Sequence, residues 1–348
     1  MNWTPDPRLR LRIENRWNSL TKPPGSLGRL EELVTRYCLV RGVESVAPAA
    51  KGLYIFCGDH GVVEEGVSAW PQEVTRQMVA NFLGGGAAIS VLCRQLGIQA
   101  VVVDAGVKGP AVEGALDCKI AEGTRNFARE PAMTRAQAER SIEAGRRLAR
   151  EAAGRFELIG AGEMGIGNST AAAALLAAFA GMDPAETAGR GAGVDDRGLE
   201  RKIAAVRAAL ALHRPDPADP IGVLAAVGGF EIGAIAGLVL GAAEARLPVA
   251  LDGFISCSAA LVARALDPAA MEAVFFSHRS AESAHGRMLA FLGARPYLDL
   301  EMRLGEGTGA ALLMGLLECA LALYRGMATF PEAQVSESGP GSLPGSLQ

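Results

Sequence analysis

Two glutamates stand among glycines, where small neighbours leave a carboxylate open to a reactant. Glu163 lies in Gly160-Ala161-Gly162-Glu163-Met164-Gly165, and Glu306 in Arg303-Leu304-Gly305-Glu306-Gly307-Thr308-Gly309. A pair of carboxylates suits acid–base work, in which one group takes or gives a proton at the reacting atom. Glu306 also has a plain structural reading, as a carboxylate near the N-terminus of the following helix, where the helix dipole favours it. A third glycine-rich turn, Gly189-Arg190-Gly191-Ala192-Gly193-Val194-Asp195-Asp196, precedes a helix that carries Lys202. Backbone N–H groups of such a turn can hold a phosphate. Glycine loops before helices also occur without a ligand, so this turn alone leaves both readings open. Asp59-His60 after Cys57-Gly58 suits proton transfer, but a satisfied turn histidine is favoured, and Cys57 reads as a small buried hydrophobe.

Gly160 to Gly165 also fits the spacing of a dinucleotide fingerprint, a strand followed by G-x-G-x-x-G and a helix. Two features weigh against that reading. The pattern falls in mid-chain, and the acidic residue at the right distance, Asp183, sits in a loop rather than at a strand end. A glycine turn exposing Glu163, with Asn168 and Ser169 capping the next helix, is the better reading.

The elements that must position these groups alternate. Short apolar runs at Leu53–Cys57, Ile98–Val103, Phe156–Ile159, Pro248–Leu251 and Ala273–Phe276 each end in glycine and polar residues. Helical segments lie between them: Val74–Leu83, Ala87–Leu96, Arg135–Ala153, Ser169–Ala180, Leu199–Leu212, Ile232–Ala245 and Ser256–Leu266. Apolar strands alternating with helices predict an α/β fold, with a parallel sheet covered by helices on both faces. Ligands in such sheets bind beyond the carboxyl ends of the strands, where the polar residues fall here. Outside this rhythm are helices at Leu9–Leu20 and Arg29–Arg41, the rigid, exposed loop Lys22-Pro23-Pro24-Gly25-Ser26-Leu27-Gly28, and a helix at Thr308–Tyr324 that is apolar almost all round. Residues 1–45 and about 300–330 are expected to form a small helical domain, 46–300 the α/β domain, and 331–348 a disordered tail.

The 348 residues are 49% hydrophobic with a net charge of −4, which excludes disorder for the bulk of the chain. The 34 basic against 38 acidic residues argue against a nucleic-acid binder. No apolar run follows the N-terminus as a secretory signal would. The longest uninterrupted apolar stretches are about a dozen residues, against roughly 20 for a membrane span. The six cysteines and four histidines are scattered without metal-ligand spacing, and reduced, buried thiols are expected. The chain reads as soluble, cytoplasmic and metal-free.

Five segments together resemble one family. They are Lys22–Glu31, Gly58–Val62, Gly66-Val67-Ser68-Ala69-Trp70-Pro71-Gln72-Glu73-Val74-Thr75, Gly160–Thr170 and Arg303–Gly309. In order and spacing they look like the nicotinate-nucleotide:dimethylbenzimidazole phosphoribosyltransferases of cobalamin biosynthesis, over about Leu20 to Ala328. The resemblance implies a Rossmann-like parallel sheet, a small helical domain built from both chain ends, a homodimer, and no metal or redox cofactor. It implies attack of a benzimidazole nitrogen on C1′ of nicotinate mononucleotide, with inversion, giving α-ribazole 5′-phosphate and nicotinate. Glu306 is then the base and Glu163 a second carboxylate toward the ribose. Trp70, Gln77, Met164 and Leu304 are matched to the slot for the benzimidazole-type base. Gly165, Asn168, Gly191, Gly193, Lys202 and Ser280 are matched to the phosphoribosyl group. The competing readings are an NAD-dependent oxidoreductase and a catalytically inactive relative that binds a nucleotide.

Overall fold

The apolar runs become the strands of one parallel sheet in the computed structural model, which describes residues 6–44 and 50–336. The strands are β1 (Lys51–Gly58), β2 (Ile98–Gly106), β3 (Leu116–Asp117), β4 (Leu158–Met164), β5 (Val249–Leu251) and β6 (Val274–Phe276). They lie side by side in the order β3-β2-β1-β4-β5-β6, all parallel. Every residue of β1 is buried, as a central strand covered on both faces must be. The order reverses between β1 and β4, so the crossovers on either side diverge and leave a crevice at the carboxyl ends of these two strands. Phe56 pairs with Glu163 and Cys57 with Met164 at that point.

Helices at Arg135–Ala153 and Phe230–Glu244 pack against each other through glycines. A Cβ on Gly145 would sit 1.8 Å from the Ala234 carbonyl oxygen, and one on Gly237 1.8 Å from that of Ile142. The two backbones therefore touch where any side chain would part them.

The chain divides into two compact units. One holds residues 50–315 and the sheet. The other combines 6–44 with 316–336, so the second dividing line falls inside the helix Thr308–Gly326 rather than near residue 300. In the second unit, Asp6 caps and Pro7 opens the helix Pro7–Ser19. Trp17 meets the ring of Tyr324 at 4.8 Å between centroids. Lys22, expected in an exposed loop, is buried: its ammonium pairs with Glu31 at 2.8 Å and lies over the Trp17 ring. Phe330–Ala333 is a helical turn with a Thr329–Glu332 capping box, where a tail was expected. The expectation of disorder further on falls outside the described residues from 337.

Three further differences from the sequence expectation have physical reasons. The two-residue strand β3 and the parallel pair His278–Arg279 with Leu298–Asp299 are too short to carry a period. The helices Pro220–Val227 and His285–Leu292 span barely two turns. Thr308–Gly326 is, among the described residues, the one helix long and apolar enough to cross a membrane, yet half of its hydrophobic window is buried within the protein. It buries one face rather than all round, leaving Cys319 and Ala322 outside, so the thiols are not all buried.

Candidate active site

The fingerprint Gly160–Gly165 is not a turn. β4 runs on through Gly160, Ala161, Gly162 and Glu163 to Met164, so the glycines lie in a strand and the dinucleotide reading fails. What they provide is close approach. A Cβ on Gly162 would lie 2.4 Å from the carbonyl group of Glu306 and from the Gly307 nitrogen, and one on Gly160 2.7 Å from the Met314 methyl group. Bare backbone in β4 thus lets the 303–309 loop lie directly on the sheet. The two glutamates, 143 positions apart in the chain, come together by this contact. A Cβ on Gly305 would be 2.6 Å from Glu163 Oε1.

Glu306 itself adopts φ +65°, between Gly305 at +86° and Gly307 at +97°. A non-glycine residue in this left-handed region costs about 1–3 kcal/mol and is held there only by its surroundings. Asp252, at the carboxyl end of β5, supplies the hold. Fully buried, it accepts hydrogen bonds from Gly309 N (2.7 Å) and Gly307 N (2.9 Å). Asp252 therefore does the helix-capping work that the structural reading gave to Glu306. Glu306 is turned away from its own helix, and its Oε2 accepts from Ile89 N at 3.3 Å.

Burial is the main electrostatic fact at this end of the site. It pushes Glu163 up to about 8, helped by the negative Asp252, Glu231 and Glu306 and opposed by a hydrogen bond from Asn168 Nδ2. Burial pushes Asp252 up to about 7, against the backbone N–H groups that bind it. Glu306 is also raised by burial, opposed by the Ile89 N–H. Asn168 is thus a partner of Glu163 and not a helix cap; Gly167, at φ +95°, is the N-cap residue. Ser169 does not cap either, but accepts from Lys202 Nζ at 3.0 Å.

Lys202 is buried on the second turn of the helix Asp196–His213, and its ammonium also donates to the Gly189 carbonyl at 2.9 Å. Burial lowers its pKa to about 8, countered by Glu282. Next to it, Gly191 N donates to Glu282 Oε2 at 3.0 Å. Ser280 N donates to His285 Nδ1 at 2.9 Å, and burial pushes His285 down to about 3, so this imidazole is a neutral acceptor. His60 is buried elsewhere, with Nε2 2.6 Å from Glu231 Oε1, in the structural role the sequence favoured. Cys57 is buried and its thiol is held well above the ordinary range by burial.

One cavity of about 450 Å³ takes in both ends. Glu163, Glu306, His278, Gly191, Lys202 and Ser280 all line it. Val74, Met78, Met164, Ile166, Phe254 and Ile255 add apolar wall. Trp70 and Leu304, 54% and 57% exposed, form its rim, and Trp70 Nε1 donates to the Ala192 carbonyl at 3.3 Å. A volume of this size suits a small organic ligand held by a few placed polar groups.

Residues 3–335 match the phosphoribosyltransferase family DBI_PRT. A nicotinate-nucleotide–dimethylbenzimidazole phosphoribosyltransferase of Geobacter sp. (strain M21) is 51% identical over 334 residues, 95% of this chain and 96% of that one. This chain belongs to the nicotinate-nucleotide–dimethylbenzimidazole phosphoribosyltransferase family. The enzyme of that name from Desulforamulus reducens (strain MI-1) is 51% identical over 96% of each chain. The crystal structure of CobT from Thermus thermophilus superposes with a TM-score of 0.90 at 47% identity, covering 95% of this chain and 100% of that one.

Of the twelve residues matched to this family from sequence, ten line the cavity: Glu163, Glu306, Trp70, Met164, Leu304, Gly165, Asn168, Gly191, Lys202 and Ser280. Two do not. Gln77 lines a neighbouring cavity of about 430 Å³ with Asp59, Arg76 and Lys108. On the helix Glu73–Gly84 it is Val74 and Met78, four apart and on one face, that reach the first cavity, and Gln77 lies round the helix about 100° from Met78 and about 60° from Val74. Gly193 only closes its own turn, its N–H donating to the Arg190 carbonyl. Asp252, His278 and Glu282 went unrecognised. The signal for Asp252 was present, an acidic residue at the end of an apolar strand.

The buried carboxylates set a testable stability. Glu163 is raised in the fold above its unfolded value of about 4.3, so its stabilising contribution is full below that pH and is lost as pH rises through about 8. Glu163→Gln removes the loss while still accepting from Asn168. Its Tm should exceed that of the parent protein by about 5 °C at pH 8.5 and by little at pH 5, as read by thermal melts across this range. An equal change at both pH values would mean that Glu163 does not titrate in this window.

Proposed function

We propose that this chain transfers the 5-phosphoribosyl group of nicotinate mononucleotide to 5,6-dimethylbenzimidazole, yielding α-ribazole 5′-phosphate and nicotinate, as a cytoplasmic homodimer in cobalamin assembly. The observation that carries the reading is one cavity lined by two carboxylates, by a glycine turn with Lys202 beside it, and by apolar side chains. A flat base fits against Met164, Val74 and Met78, beneath the rim of Trp70 and Leu304. The phosphate fits Gly191 N–H, Lys202 and Ser280.

The reaction asks little else of the protein. The base nitrogen attacks C1′ from the face opposite nicotinate. The C1′–N bond to nicotinate breaks, and its electron pair returns to the pyridinium nitrogen, so the leaving group needs no proton. The attacking ring must lose its N–H proton, and Glu306 is the carboxylate placed to take it. Glu163 faces the ribose, where positive charge grows as the bonds exchange. A cationic pyridinium in this pocket favours the ionised form of Glu163, which burial otherwise disfavours.

The test is nicotinate release from nicotinate mononucleotide, followed by chromatography with and without 5,6-dimethylbenzimidazole. Base-dependent release with an equal amount of α-ribazole 5′-phosphate is the expected result. Binding of the nucleotide without turnover, from folded protein and with any base, would replace this reading with that of an inactive nucleotide binder.

A further inference from the structure

The phosphate cradle of the proposed site already contains an anion, and that anion belongs to the protein. Glu282 stands in the short loop between the strand His278–Arg279 and the helix His285–Leu292. The loop backbone is tied down: Glu282 N donates to Ser280 Oγ at 3.2 Å, and the Glu282 carbonyl accepts from His285 N at 3.0 Å. The carboxylate reaches across to the glycine turn and accepts from Gly191 N. Its other oxygen, Oε1, is buried without a hydrogen-bond partner among the described residues. That oxygen takes the room left by a glycine, 1.5 Å from where a Cβ on Gly189 would be. Lys202 Nζ is close by, 3.1 Å from where a Cβ on Gly191 would be. Two of its three protons are spent on Ser169 and Gly189, leaving one for a third acceptor.

A carboxylate on a backbone N–H beside a buried lysine has the charge and the acceptor geometry of one edge of a phosphate. We infer that Glu282 is a specificity-determining residue, a built-in competitor that keeps free inorganic phosphate out of the cradle while yielding to phosphate carried on a nucleotide. The inference rests on the cradle assignment of the proposed function. An isolated phosphate dianion must displace the carboxylate, or bind against its repulsion, using its own contacts alone. The phosphate of a nucleotide arrives tethered to a ribose and an aromatic ring that bind elsewhere in the cavity, and so acts at a high local concentration. The cost of displacing the carboxylate is common to both, but only the nucleotide has further contacts to offset it, so free phosphate falls below useful affinity while the nucleotide still binds.

The experiment uses the full chain and inorganic phosphate as probe, with calorimetric Kd and inhibition of nicotinate release as readouts. Glu282→Gln keeps the shape and removes the charge. It should tighten inorganic phosphate binding by about tenfold or more, because a like charge a few ångströms away is gone, and should lower its inhibition constant in step. Gly189→Ala offers a route that keeps the charge: the added methyl takes the place of Oε1 and turns the carboxylate out, and phosphate should again bind more tightly. If Glu282→Gln does not fold, Gly189→Ala decides. Lys202→Met should abolish phosphate binding and serves as the control for the cradle itself. Unchanged or weaker phosphate binding in Glu282→Gln, with loss in Lys202→Met, overturns the role of Glu282 and leaves the cradle standing. Unchanged binding in Lys202→Met overturns the cradle assignment and this inference with it.

Discussion

Glu306→Gln should melt like the parent protein and still bind nicotinate mononucleotide, but turn over roughly 10²-fold more slowly or worse. The change keeps volume, and a glutamine oxygen can still accept from Ile89 N, so the 303–309 loop has no reason to leave the sheet. What is lost is a group able to take the proton. The pH profile separates this from a packing effect. As the proposed base, Glu306 must act in its ionised form, and burial raises its pKa from the ordinary carboxylate value. The kcat of the parent protein should therefore fall as pH drops through that raised value, and Glu306→Gln should lose this limb along with the rate. Near-normal kcat in Glu306→Gln would remove it as the base.

Gly237→Ala should lower Tm by about 3 °C or more, and Gly145→Ala by a similar amount. Each Cβ would meet a backbone carbonyl oxygen 1.8 Å away, so a rotamer change cannot relieve the clash and the two helices must part. Overpacking of this kind costs about 1–3 kcal/mol and occasionally more, and each kcal/mol moves Tm by about 1–2 °C in a chain this long. Gly154→Ala is the matched control. Gly154 has φ −84°, and a Cβ there would come no closer to another atom than 4.0 Å, to the Glu151 carbonyl oxygen. It should leave Tm unchanged or raise it slightly, since it stiffens only the unfolded chain. Differential scanning calorimetry on the three variants checks the set. Gly237→Ala melting with Gly154→Ala would show that the helices part at little cost.

The strands and most helices were legible in the sequence because alternation of apolar runs with helical periods is a local signal. The carboxyl-end position of the site was legible too, since glycine and polar residues close each run. What escaped was long-range. The glycines at 160 and 162 look like a turn by local pattern, and only the approach of residues 303–309 gives their reason. Asp252 carries no motif of its own; its meaning lies in two N–H groups more than fifty positions away. Gln77 went astray through register, a matter of one residue on a helix. Lys22 looked exposed beside two prolines, and its burial depends on Trp17 and Glu31 closing over it.

The strand order has a consequence for how the chain is made. β1 emerges from synthesis first, and it is the central strand. One of its neighbours, β2, follows within the next segment, but β4 comes only after residues 107–157 have been added. Until then one edge of a strand destined for complete burial offers unpaired N–H and C=O groups to any other chain. Fragments ending before β4 are therefore sticky by construction, and crowded synthesis exposes the protein to aggregation during that interval. The strand that finally covers the edge is the one that carries Glu163, so the same event that makes the nascent chain safe also brings in the first of the two cavity carboxylates.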